Sequence, residues 1–471
     1  MSRGSRIASK TIIYTIGNFG SRLLAFFLVP YYTYVISTSD MGSYDFALAA
    51  LELLIPFITL QMPEAIVSGL IKKEIDESKI IKASEVLLLI NLAITVIGYL
   101  LFSTFFEVQW GRYYVCMVCI QSLYKIMQHY VRGLSNSKLY SLCGVIYTFL
   151  YLIQNIIYLS VMKLGVLGLL ISSISSHLVV VLIILFAEPA IFKALFTPLD
   201  YKTVKWIITY SLPLIPNAIS WWFINLSDRF VIKYYIGSDA NGIFAISHKF
   251  ISIVVLFTGL FYMAWQEVSI EEYDSPDKAE FFSKTFNIYM KFLLGIAILG
   301  MGFTKLYVIQ FMNISYHDAW KYVMWLYVAS AYSALASFLN TGYLVSGDTN
   351  SILKGTFIAG VVNISIDLLL VNVIGIYAAS LSTLVSSFVL LIHRLLNNKQ
   401  FYTINVDWWS FGFLSLFAIG ASVAFLTSTG SSTTIIMTLL CVIVAVFYNY
   451  KFVMQLVQFA KHYISTKDAI K

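Results

Sequence analysis

Residues 221–249 read WWFINLSDRFVIKYYIGSDANGIFAISHK. The stretch opens and closes as apolar, membrane-type sequence. Between those ends it carries Asn225, Asp228 and Arg229, with Lys249 closing it, beside a glycine that reads as a turn. An ionised side chain at a bilayer centre costs roughly 2.5–3.5 kcal/mol on insertion scales, so such residues face a cavity or a partner. The element has an earlier echo. Ser39-Asp40-Met41-Gly42-Ser43-Tyr44 resembles Ser238-Asp239-Ala240-Asn241-Gly242-Ile243-Phe244 if one residue is inserted. A charged element that repeats inside an apolar chain predicts a two-lobed membrane protein.

Composition extends that reading outward. Of 471 residues, 59% are hydrophobic and 12% charged, with mean hydropathy +0.80. Soluble domains carry about 25% charged residues, so this chain is not solvated over its whole surface. The hydrophobicity runs along the entire length, as expected of one polytopic membrane domain. Cys116, Cys119, Cys143 and Cys441 all lie in apolar stretches. The Cys116–Cys119 pair has no second ligand pair or histidine cluster nearby, so the four read as small buried hydrophobes, and neither metal nor cofactor is expected. Arg3, Arg6 and Lys10 precede an apolar run that Asn18 and Arg22 interrupt. No small-residue cleavage site follows, and an uncleaved first helix is expected.

A spanning helix needs about 20 mostly apolar residues. That criterion predicts an all-α protein with about fourteen transmembrane helices, twelve being the alternative count. They run near 10–36, 44–70, 84–106, 112–133, 138–162, 166–187, 204–233, 242–268, 284–312, 319–346, 354–373, 376–397, 408–428 and 433–456. With both termini cytoplasmic, 21 of the 31 basic residues fall on the inner side. Only Arg112, Lys163, Lys233 and Lys321 fall outside, which satisfies the positive-inside rule. The net charge of +7 is then a matter of topology and of contact with membrane lipids, with no nucleic-acid partner expected. Connections are short throughout, so no separate catalytic domain fits, and the chain is not expected to be an enzyme.

The two glycine elements sit six spans apart in the same orientation, which is a parallel repeat. The expected organisation is an N-terminal lobe over 1–200, a C-terminal lobe over 201–400, and an added helix pair with a basic cytoplasmic tail over 401–471. The residues of the repeat also carry a family resemblance. Gly17, Arg22, Pro30, Tyr31, Gly42, Tyr44 and Pro56 in the first half, with Asn225, Asp228, Arg229, Gly237, Gly242, Phe244, Ala245, Lys249 and Trp265 in the second, resemble the polysaccharide-biosynthesis and O-antigen flippases. These belong to the multidrug/oligosaccharidyl-lipid/polysaccharide exporter superfamily. The resemblance implies a flippase that moves undecaprenyl-pyrophosphate-linked oligosaccharide, for O-antigen, capsule or exopolysaccharide, across a bacterial inner membrane by alternating access. It also implies glycan polymerase and chain-length regulator proteins as partners. An ion-coupled multidrug or cation antiporter of the same fold is the first alternative, and a membrane glycan polymerase or glycosyltransferase the second.

Basic residues within spans are the candidates for binding an anionic pyrophosphate. Arg22 lies about midway along its span, too deep to reach the interface easily. Lys125 is also near mid-depth. Arg229 and Lys249 are shallower, where long side chains can snorkel, and the resemblance is what puts them in the substrate site. Lys291 and Lys305 read as interfacial anchors. Glu52, Glu64, Asp228 and Asp367 read as partners of basic residues or as protonatable groups, with Glu52 and Asp228 the candidates for ion coupling. His177 and His248 read as packing residues. Pro30, Pro56, Pro63, Pro213 and Pro216 fall inside predicted spans and are expected to kink them. There is no Gly-Lys-Ser/Thr phosphate loop, so ATP hydrolysis by this chain is not expected.

Overall fold

A computed structural model describes residues 26 and 28–468, apart from 74, 195, 347–348 and 429. Within those residues every regular element is helical. The chain runs through α1 (Val29–Val35), α2 (Thr38–Ile58), α3 (Met62–Lys72), α4 (Glu77–Ser103), α5 (Gly111–Gly133) and α6 (Ser137–Ile156). It continues through α7 (Val166–Ala187), α8 (Pro189–Ala194), α9 (Tyr201–Ser211), α10 (Ile215–Asn225), α11 (Asp228–Tyr235) and α12 (Ser238–Glu271). The remainder forms α13 (Lys278–Phe311), α14 (Ala319–Phe338), α15 (Asn340–Ser346), α16 (Thr349–Ile374), α17 (Tyr377–Asn397), α18 (Trp408–Thr427) and α19 (Ser431–Asp468).

Twelve helical stretches among the described residues are long and apolar enough to cross a membrane. The 23-residue α5 has spanning length too, but Arg112, Lys125 and Arg132 interrupt its apolar run. The expected first span, 10–36, lies mostly outside the described residues, and Arg22 with it. The fourteen expected spans are thus the twelve apolar stretches, α5, and the one that is largely undescribed.

Helix ends follow local chemistry. Ser37, Asp76, Asn136, Asp200 and Asp407 each cap a helix start, their side-chain oxygens accepting a backbone N–H in the first turn. Most of the prolines act differently from expectation. Pro30, Pro63, Pro213 and Pro216 each lie in the first turn of a short helical segment, and only Pro56 is inside one. Since proline lacks an N–H, it is tolerated at the first helical positions, where that donor would have no partner. Long spans are therefore broken into end-to-end segments. Between α2 and α3 the break also needs Leu60 and Gln61 in left-handed conformation. Gly375, at φ +60°, makes the tight turn from α16 to α17.

Contacts divide the chain into two compact units, one within residues 13–245 and one within 246–471, and α12 continues from one into the other. In the first, α5 packs on α3 and α7, α6 packs on α7, and α4 lies along α9. Half of the apolar window of α7 is buried but only 6% of that of α4, which makes α4 an outlying helix with an apolar face. Cys116 on α5 is exposed, unlike the buried Cys143 and Cys441.

In the second unit α14 is the centre, with 67% of its window buried, and it packs on α13 and α17. Trp265 of α12 donates its indole N–H to the Phe338 carbonyl at 3.1 Å and stacks on the Phe338 ring. Helix α13 holds the last two helices by several kinds of contact. Gly295 and Gly302 leave room for Asn449 and for Cys441 and Thr438 of α19. Asn449 donates to the Lys291 carbonyl at 3.0 Å, and Thr438 to that of Gly302 at 2.8 Å. Small residues and such interhelical bonds drive association in lipid, where apolar burial gives no advantage. The lysines read as interfacial anchors grip α18 instead. Lys291 pairs with Asp407 at its start at 2.7 Å, and Lys305 donates to the Phe425 and Ser428 carbonyls at its end.

Candidate functional site

The two glycine elements identified in the sequence meet in the first unit. Neither glycine forms a turn. Gly42 lies in the second turn of α2 and Gly242 in the second turn of α12, and the chain reversal before α12 is at Gly237, with φ +122°. What requires glycine is proximity. A Cβ on Gly42 would lie 1.8 Å from the Ser238 carbonyl oxygen, and one on Gly242 1.9 Å from that of Thr38. These contacts are reciprocal, with Thr38 in the role of Ser238 and Gly42 in that of Gly242. The repeat therefore aligns without the inserted residue that the sequence comparison required.

Polar contacts reinforce the crossing. Asn241 donates to the Gly42 carbonyl at 2.7 Å, the Thr38 hydroxyl bonds Asp239, and the Ser43 and Ser238 hydroxyls lie 3.4 Å apart. Trp222 of α10 donates to the Ala49 carbonyl at 2.7 Å, further along α2.

The charges of 221–249 gather beside this crossing. Arg229 is buried and its Nε lies 3.3 Å from Asp45 of α2. Its guanidinium also donates to the Asn225 carbonyl and lies over the Phe244 ring. Lys233, read as an outer-loop residue, reaches the hydroxyls of Ser43 (3.0 Å) and Ser238 and lies over the Phe46 ring. Asp228 is fully buried, and it is Asp45 that the neighbouring Arg229 engages.

A second set lies in the same unit, with Glu52 exposed on α2. Lys125 of α5 is half-buried and within electrostatic reach of Glu52 on α2. His129 bonds the Lys125 carbonyl one turn along. Nearby elements supply a network of tyrosines. Asn155 donates to the Tyr32 hydroxyl at 2.8 Å, and Tyr31 pairs with Ser160 at 2.7 Å. His177 sits against the rings of Tyr124 and Tyr147, its Nδ1 donating to the Ser173 carbonyl at 2.7 Å. That satisfied geometry is what a packing histidine shows. Glu64 is exposed on α3.

Lys249 belongs to the second unit and is exposed on α12. In that unit Asp367 and Asn363, one turn apart on α16, are fully buried. Ser382 of α17 donates to Asp367 at 2.8 Å, and Asn363 approaches Ser382 and Ser386 at 3.3 and 3.4 Å. The signal in the sequence was the double i,i+4 spacing, Asn363/Asp367 facing Ser382/Ser386. Hydroxyl and amide groups thus surround this buried carboxyl. Among the described residues no three His, Cys, Asp or Glu side chains form a metal-binding group.

A family model described as polysaccharide biosynthesis protein matches residues 7–270, more than half of the chain. No curated protein matches it. Among solved structures, the lipid II flippase MurJ in an inward closed conformation superposes with TM-score 0.68 at 16% identity, over 95% of this chain and 100% of that one. An inward-facing multidrug resistance transporter of the MATE family, in the MOP superfamily, gives 0.67 at 14% identity, over 84% and 97%. A MOP superfamily transporter from Pyrococcus furiosus, described as having a binding pocket of reverse polarity, gives 0.62 at 14%, over 85% and 96%. These relatives by fold are flippases and transporters, not enzymes. The match over residues 7–270 shows that the chain belongs to the polysaccharide biosynthesis protein family, and its fold is that of the lipid II flippase and the MATE transporters.

Proposed function

We propose that this protein is a flippase for polyprenyl-pyrophosphate-linked oligosaccharide, of the O-antigen, capsule or exopolysaccharide kind, in a bacterial inner membrane with both termini cytoplasmic. The observation that carries the reading is the crossing at Gly42 and Gly242. It joins the equivalent helices of the two repeats by backbone contact and side-chain bonds, without covalent linkage, as a reversible closure does. In this reading 1–200 and 201–400 are lobes that rock, 401–471 is the appended pair, and the crossing opens when the head group is released.

Arg22 and Lys125 are the proposed pyrophosphate contacts, with the exposed Lys249 as a further candidate. Arg229 acts on the substrate indirectly, since its guanidinium is engaged by Asp45. The half-buried Tyr31 and Tyr147 offer hydroxyls and ring faces to sugars. Glu52 and Asp228 remain candidates for ion coupling, and Asp367, with Asn363 and Ser382 beside it, is proposed as a further one. The ion-coupled antiporter of the same fold remains the competing reading, and Asp367 would serve either.

Reconstitution tests the proposal. Proteoliposomes holding the full chain and a polyprenyl-pyrophosphate-linked glycan should expose glycan to an external glycosidase faster than protein-free vesicles. Equal rates with the native glycan would refute the reading. In cells, Arg22→Ala should abolish surface glycan at normal protein level, with Arg22→Lys retaining part of it. Undiminished glycan in the alanine variant would remove Arg22 from the site.

A further inference from the structure

An apolar groove of about 400 Å³ lies between α2, α4 and α5. Its walls include Leu54, Phe57, Ile94, Gly98, Phe102 and Val115. Of the polar residues in it, Asn91 donates to the Ile58 carbonyl at 3.0 Å and Thr95 to the Asn91 carbonyl at 2.8 Å, while Tyr99 adds a hydroxyl. What the groove mainly offers an occupant is hydrocarbon. Gly98 widens it, since a Cβ there would meet nothing within 4 Å. Tyr99 of the groove wall rests against Gly111. The next residue, Arg112, is exposed and lies one helical turn before Val115 of the same wall, which puts a cation near an uncharged groove. Glu107, in the loop before α5, is the nearest carboxylate in sequence.

We propose that this groove holds one acyl chain of an anionic glycerophospholipid whose phosphate is bound by Arg112. The charge pattern selects this occupant. A hydrocarbon chain matches the uncharged walls, and a guanidinium forms paired, charge-assisted bonds to phosphate oxygens. A zwitterionic lipid would bring a cation to the same place. The site is separate from the crossing at Gly42 and Gly242 and does not depend on what is transported.

The test uses the full chain in nanodiscs made from phosphatidylcholine, with phosphatidylglycerol as probe and retained lipid read by native mass spectrometry. Phosphatidylglycerol should be retained selectively. Arg112→Gln should lower its retention about tenfold, the factor expected for a lost charge-assisted bond. Gly98→Leu, whose Cβ meets nothing within 4 Å, should narrow the groove and lower retention of the chain-bearing lipid while leaving the melting temperature unchanged. Glu107→Gln should raise retention, and Ile97→Ala, outside the groove on α4, should leave it unchanged. Equal retention of both phospholipids by the wild type would overturn the proposal. So would retention unaffected by Gly98→Leu, or displacement of phosphatidylglycerol by polyprenyl phosphate at equal concentration, which would give the groove to the carrier lipid.

Discussion

Arg229 illustrates how a residue can be found in the sequence while its role stays hidden. A cation in an apolar span signals function or pairing, but its partner Asp45 lies 184 residues away in the chain, with nothing in the sequence to link the two. The ion pair, with side chains 5% and 22% exposed, makes Arg229 a structural tie beside the crossing. Removing one partner of a buried pair strands the other, at a cost on the order of 3 kcal/mol. Arg229→Ala should therefore lower the melting temperature of the detergent-solubilised protein. Adding Asp45→Asn should recover much of the loss, because the stranded charge is gone. Additive losses in that double-mutant cycle would mean the two residues do not interact. The glycines teach a related lesson. Both were legible as a repeated motif, yet glycine in a helix for close approach looks in sequence like glycine in a turn.

At the scale of elements, twelve spans were readable because hydropathy and length suffice to place them, whereas α5 meets the length alone. Their breaks were less so. Proline was expected to bend continuous helices, whereas most of the prolines here begin new segments. The docking of α18 was also hidden, since Lys291 and Lys305 carry no sign of which carbonyl or carboxylate they meet. Asp407 shows the result of that docking. The hydrogen bond from Lys291, with those from Ser410, holds its carboxyl down at about 2. A pKa depressed on folding contributes stability above the unfolded value of about 3.9 and loses it as pH falls through the folded one. Acidification from about pH 4 towards 2 should loosen the start of α18, seen as faster hydrogen exchange at residues 407–411. Asp407→Asn should show that faster exchange already at neutral pH and lose the dependence over this interval. An unchanged profile in the variant would assign the effect elsewhere.

For the whole molecule, the expectation of two lobes came from the repeated glycine element, and the proposed class of substrate from the resemblance and from basic residues at depth. Neither could have revealed that the two repeats touch. That contact is the central structural claim, and the proposed transport cycle requires it to open. Ser43 and Ser238, whose hydroxyls are 3.4 Å apart, offer a direct means of holding it shut. In a chain otherwise freed of cysteine, Ser43→Cys with Ser238→Cys should form a disulfide on mild oxidation, since side chains this close can meet S–S geometry with little movement. The decisive measurement is translocation of the lipid-linked glycan by this double variant in proteoliposomes, before and after reduction. The account predicts that the oxidised protein is inactive and that reductant restores transport. Full transport with the cross-link complete would contradict it.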